Sequence, residues 1–186
     1  MFPTYQKECQ AMDFSKLTER SKSVLQAAQT LALRNHHQQL QPEHIFAALL
    51  QDDSAVIAKL IGECGGQVDH LKRENEKLIA KFPSVQGQAA QLMLSADTAR
   101  IFDQALDLST RAGDAFVTIE RLFQAIMLAT QTAVAKLLLA NNVSPQKLNE
   151  VINKMRKGRT AKSENAEDQF ESLKKYARDL TESARN

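Results

Sequence analysis

The sequence predicts an all-α fold, a tandem pseudo-repeat of two four-helix units followed by a C-terminal linker helix. Three observations predict it. Of 186 residues, 25 are Ala, 22 Leu and 17 Gln, all favourable in helices. Gly numbers 6 and Pro 4, Val and Ile 8 each, and Trp is absent; strands want β-branched and aromatic residues, and their turns want glycine. Finally, the sequence matches itself without a gap at a shift of 77 residues, with 11 identities in 55 positions, among them Leu17/Leu94, Leu31/Leu108, Glu43/Glu120, Phe46/Phe123 and Leu71/Leu148. Thr18/Ser95, Ser21/Thr98 and Val24/Ile101 add conservative matches. A repeat of this kind is a duplicated supersecondary unit.

Each copy reads as four helices. The first runs from Thr18 to about Asn35, where Leu17, Ser21, Val24, Leu25, Ala28 and Leu31 recur at three- and four-residue steps as one stripe. A polar loop leads to Gln41-Pro42-Glu43, and proline followed by a carboxylate starts a second helix carrying Ile45, Phe46, Leu49 and Leu50. Asp52-Asp53-Ser54 interrupts the chain and caps a short third helix with Val56, Ile57, Leu60 and Ile61. Gly65-Gly66 ends that helix, and a fourth spans about Val68 to Phe82. The second copy repeats the plan over Ser95 to Arg111, Ile119 to Ala129, Thr132 to Asn141 and Pro145 to Met155.

Domain boundaries follow from this pattern. Residues 1–12 have no periodicity and are expected to be a disordered extension. Residues 13–82 are the first repeat, 83–93 a surface linker, and 94–156 the second repeat. Residues 157–186 open as a flexible basic connector and regain a helical pattern at Phe170, Leu173, Tyr176, Ala177 and Leu180, a helix short of partners in the chain.

Function is narrowed mainly by exclusion. Twenty-four basic against 22 acidic residues, net +2, lacks the excess of a nucleic-acid binder. No apolar stretch approaches the ~20 residues of a membrane span. Cys9 and Cys64 make no disulfide framework, and no signal peptide opens the chain, so the cytosol is the expected compartment. Phosphate-loop, Gly-x-Ser-x-Gly, His-Glu-x-x-His and paired Cys-x-x-Cys motifs are missing. Ser144-x-x-Lys147 reads as a helix cap beside Pro145, and Ser172-x-x-Lys175 as a solvated face. Cys64 with His70 offers two ligands where zinc takes three or four. His36, His37 and His44 take surface or core roles. Recognition remains: two packed copies leave a groove along their join that can receive an apolar segment of another chain.

Leu17-Thr18-Glu19-Arg20, Leu40-Gln41-Pro42-Glu43-His44-Ile45 and Gly113-Asp114-Ala115-Phe116-Val117 resemble hallmark stretches of the Clp N-terminal (Clp-repeat) domain. The run from Leu173 to Arg185 resembles the approach to the first ATPase module of ClpB-type AAA+ disaggregases. The resemblance covers about Asp13 to Asn186. It implies a chaperone domain that captures unfolded or aggregated polypeptides and passes them to a hexameric, ATP-driven threading ring assisted by an Hsp70-type system. On that reading this stretch is a monomeric piece with no cofactor and no enzymatic activity, and ATP and Mg belong to ATPase modules outside it. An adaptor-docking domain of a ClpA- or ClpC-type unfoldase is the rival within the family; an enzyme with an unrecognised site is the rival outside it.

The resemblance places polypeptide contacts on Thr18, Asp114 and Glu120, and an apolar groove position on Leu108. Gln104 and Arg121 stand where the family commonly has leucine, which makes this groove less apolar. The residue chemistry gives the polar positions a second role. Thr18 and its mate Ser95 are placed to cap helices, Glu120 and its mate Glu43 lie in first helical turns, and Asp114 follows Gly113 in a turn.

Overall fold

The computed structural model describes residues 13–85 and 92–172. The expected extension 1–12 and the tail from Leu173 lie outside the described residues. A 3₁₀ turn, Phe14–Lys16, precedes α1 (Glu19–Arg34), β1 (Gln39–Leu40), α2 (Pro42–Leu50), α3 (Val56–Glu63), α4 (Val68–Ile79), β2 (Met93–Leu94), α5 (Ala96–Arg111), α6 (Ile119–Leu128), α7 (Ala133–Ala140) and α8 (Pro145–Arg156). Residues 166–172 are helical as well. Among the described residues, no single helix is long and apolar enough to cross a membrane.

The same local devices recur 77 residues apart. Thr18 and Ser95 cap α1 and α5, their hydroxyls accepting from the Ser21 and Thr98 amides. Both helices close alike. His36 (φ 57°) and Gly113 (φ 75°) turn left-handed, and the amides of His37 and Asp114 donate to Ala32 and Ser109, each at 2.9 Å, a Schellman closure. Gly65 (φ 90°) and Asn142 (φ 66°) close α3 and α7 in the same way. Two ends differ from the sequence reading. Ala55, left-handed and without a side-chain bond, takes the cap position of α3, while the Asp52 carboxylate is held by the Ser54 amide. The fourth helix stops at Ile79, because Ala80 to Phe82 form a tighter turn that sets the Phe82 ring against His37 and His44.

The two repeats pack about a pseudo-twofold axis, each giving the other what it receives. β1 pairs in parallel with β2, Leu40 opposite Leu94, and the mates of those residues, Val117 and Leu17, form the corresponding bridge. The Ser21 hydroxyl donates to the Val117 carbonyl and the Thr98 hydroxyl to the Leu40 carbonyl, both at 2.8 Å. Residues on the axis meet their own mates. Phe46 stacks on Phe123, centroids 6.1 Å apart and planes 8° from parallel. At Gly66 an added Cβ would lie 2.8 Å from a methyl of Val143, its mate, and 2.8 Å from one of Ile61. Two valines do not fit there, so glycine on one side makes room for valine on the other. One buried core runs through both repeats.

Gly66→Ala is therefore expected to destabilise the chain by about 1–3 kcal/mol through overpacking at the axis, read as a lower urea midpoint with an unchanged m-value. Val143→Ala in the same background should recover part of the loss.

Candidate functional site

The turn that closes α5 delivers Asp114 to the amino end of α6, where Thr118 caps the helix and Glu120 lies in its first turn. Asp114 Oδ2 accepts from Arg121 Nε at 3.2 Å and Arg156 Nη1 at 2.5 Å, and Arg156 Nε reaches Glu120 Oε1 at 3.1 Å. All four side chains are buried. Burial works against the Arg156 guanidinium, but Glu120 and Asp114 outweigh it and hold its pKa above the ordinary arginine value.

The first repeat fills the same four positions differently, with His37, Glu43, His44 and Ile79 for Asp114, Glu120, Arg121 and Arg156. His37 Nδ1 and His44 Nε2 lie 2.8 Å apart. The Gln41 amide donates to His44 Nδ1, so the His44 proton sits on Nε2 and is given to His37. Burial, then His37, depresses His44 to about 4. Ile79 takes the place of Arg156 here; burial raises the Glu43 pKa, and its Oε2 has no hydrogen-bond partner among the described residues.

The chain beyond α8 packs back onto the protein, which the sequence reading as a flexible connector and partnerless helix does not anticipate. Lys157 (φ 49°) and Gly158 (φ 78°) turn it toward α1 and α6. The Ala161 amide donates to Asp114 Oδ1 at 2.7 Å and its carbonyl accepts from the Ala115 amide at 2.8 Å. Glu164 offers its carbonyl to the Glu19 amide and its carboxylate to Lys22. Glu167 accepts from the Ile119 amide at 2.7 Å. Burial, then Glu120, pushes Glu167 up to about 8.

The groove expected along the join is closed at its centre, where Leu17, Leu40, Phe46, Val117 and Phe123 are all buried. What stays open is a cleft of about 240 Å³ at one edge of the join, where Arg20 and Val56 of the first repeat face Ile119, Glu120, Met155 and Arg156 of the second. Glu167, Phe170 and Glu171 of the returning segment lie along its other side, with Lys157 and Arg159. A second hollow, about 260 Å³, lies within the first repeat among Leu31, Leu50, Asn75 and Ile79.

A family model of the Clp repeat (R) N-terminal domain matches residues 16–142. The chain belongs to that family. It is 48% identical over 174 residues, 94% of its length, to chaperone protein ClpB of Rhizobium meliloti, and 45% identical over 94% to that of Brucella suis. It spans about a fifth of the length of these relatives. Among solved structures, the Hsp104 N-terminal domain of Candida albicans superposes with a TM-score of 0.72 at 16% identity, covering 81% of this chain and 98% of that one. A ClpV N-domain in complex with a VipB peptide superposes at 0.62 and 18% identity, covering 80% and 91%.

Within this Clp fold the sequence-derived positions separate. Asp114 and Glu120 are joined through Arg156, and only Glu120 of the four lines the cleft. Thr18 caps α1 with no exposed surface. Leu108 and Gln104 are half-buried on α5 and line no part of the cleft. Arg121 turns inward to Asp114 and Gln124 rather than lining a groove. Sequence reasoning missed Arg156 and Glu167. The repeat register held a signal for the first: Ile79, its mate, occupies a buried helical position, so a cation there is a buried cation.

Two measurements check this. Asp114→Ala removes the carboxylate that two buried guanidinium groups share and should cost about 3–5 kcal/mol by chemical denaturation. For His44, the unfolded chain binds a proton near the ordinary value of 6.5 and the folded chain near 4. Its contribution is therefore complete above about pH 6.5 and falls by up to ~1.4 kcal/mol per unit toward pH 4. His44→Asn should flatten that part of the stability–pH curve.

Proposed function

We propose that this chain is the substrate-capturing N-domain of a ClpB-type disaggregase, binding exposed apolar segments of unfolded or aggregated polypeptides at the edge of the repeat join. The observation that carries the reading is the cleft itself. Half-buried Val56 and Met155 beside Ile119 offer apolar surface, Arg20 brings a charge to its edge, and the buried Arg156–Glu120 pair lies beneath. An extended segment with mixed side chains finds both kinds of partner there. The kinship with ClpB chaperones and the peptide seen on a ClpV N-domain support it.

Thr18, Asp114 and Glu120 act in this reading by fixing the cleft's walls, and Leu108 offers a separate apolar contact on α5, outside the cleft. The captured segment passes to a hexameric ring in the cytoplasm whose modules bind ATP and Mg, with an Hsp70-type system as collaborator. Weak capture suits a hand-over step, and six linked copies restore avidity.

Val56→Asp and Met155→Asp should each weaken binding of a reduced, carboxymethylated, permanently unfolded protein at least fivefold, measured by fluorescence anisotropy, with thermal midpoints within a few degrees of wild type. Unchanged affinity in both removes the cleft from the site.

A further inference from the structure

We infer that residues 161–171 are a tethered self-ligand of this cleft, and that a client enters by displacing them with a segment carrying a carboxylate and, three residues on, an aromatic ring. The inference rests on the reading of the cleft as a polypeptide site.

The tail meets the two repeats as a bound peptide meets a receptor. Main-chain bonds fix it at two places, Ala161 against Asp114 and Ala115, and Glu164 against Glu19. Between and beyond them it presents side chains. Glu167 sits on the first amide of α6, Arg20 takes Asp168 at 2.6 Å and Glu171 at 3.2 Å, and Phe170 lines the cleft with the Arg159 guanidinium 5.9 Å from its ring centre. Glu19 and Ile119 open their helices, so their amides lack partners within the helix. The tail satisfies both, and in its absence another chain's carbonyl and carboxylate fit the same two donors.

The tail is built to be exchanged. Its fully buried apolar side chains are only Ala161 and Ala166. The carboxylates that meet Arg20 and Lys22 are more than 40% exposed, and pairs of that kind add little net stability. Glu167 Oε2 is buried without a hydrogen-bond partner among the described residues, so the seat holds the carboxyl group without satisfying it fully. A cleft occupied nine-tenths of the time by its own tail binds a client about tenfold more weakly than an empty one.

The test uses the full chain and the unfolded carboxymethylated protein as probe. The variant Glu167→Ala/Phe170→Ala should bind the probe about five- to tenfold more tightly, and the Ala161 amide, normally held by Asp114, should exchange faster. Glu167→Gln keeps the acceptor and should match wild type. Saturating wild type with probe should also speed Ala161 exchange. A peptide of residues 159–172 should compete for the double variant at least fivefold better than the same peptide with both substitutions. Should the double variant fail to fold, the single variant Phe170→Ser, at a half-buried side chain outside the core, frees the tail instead. A freed tail with unchanged probe affinity, or probe binding with Ala161 still protected, overturns the self-ligand while leaving client capture intact. Absence of probe binding by wild type and freed-tail variants alike overturns both.

Discussion

Two carbonyl groups, Leu40 and Val117, hold the halves of this protein in register. Each accepts a hydroxyl and a main-chain amide from the opposite repeat: Thr98 and Ser95 at Leu40, Ser21 and Thr18 at Val117. These groups are buried, and an unpaired polar group there would cost about 1–3 kcal/mol, so neither repeat can shift without breaking its partner's bonds as well as its own. The stack of Phe46 on Phe123 and the fit of Gly66 against Val143 lie on the axis this exchange defines. So does the consequence for binding: a join sealed at its centre leaves only an edge to receive another chain.

Duplication gave both repeats the same four buried positions, and the two have since solved the same desolvation problem in different ways. The second repeat keeps its charges and pairs them, Asp114 and Glu120 with Arg121 and Arg156. The first gives them up. His37 and His44 share one hydrogen bond as neutral rings, and burial pushes Glu43 toward its protonated form, with Ile79 at the position that Arg156 fills in the second repeat. A neutral pair demands nothing further from its surroundings. An ion cluster exposes lone pairs that want donors, and Asp114 finds one in the Ala161 amide. The asymmetry of charge is thus also why the tail lies where it does, at the second repeat's cluster and across to the first helix.

Much of the fold was legible in the sequence because its causes are local. The 77-residue shift, the apolar stripe from Leu17 to Leu31, the caps at Thr18 and Ser95 and the proline at the start of α2 act within a few residues of one another, and the helices formed within about three residues of where those signals put them. The family followed from the same short stretches. The candidate site was legible only as residue types. Asp114 beside Gly113 and Glu120 in a first turn were visible as positions, but their shared arginine lies 42 and 36 residues away, respectively.

What tertiary structure alone decided is which faces remain after packing. No pattern along the chain distinguishes a phenylalanine that lines an open groove from one that stacks on its own mate, so the join read as open where Phe46 and Phe123 close it. Nor does composition reveal that Arg156, first of a basic run, is buried, or that Glu164 and Glu167 reach back to the first turns of α1 and α6. Helix periodicity and capping are properties of neighbours in sequence. Burial of a charge, and the segment that comes to cover it, depend on contacts that exist only once distant parts of the chain have met.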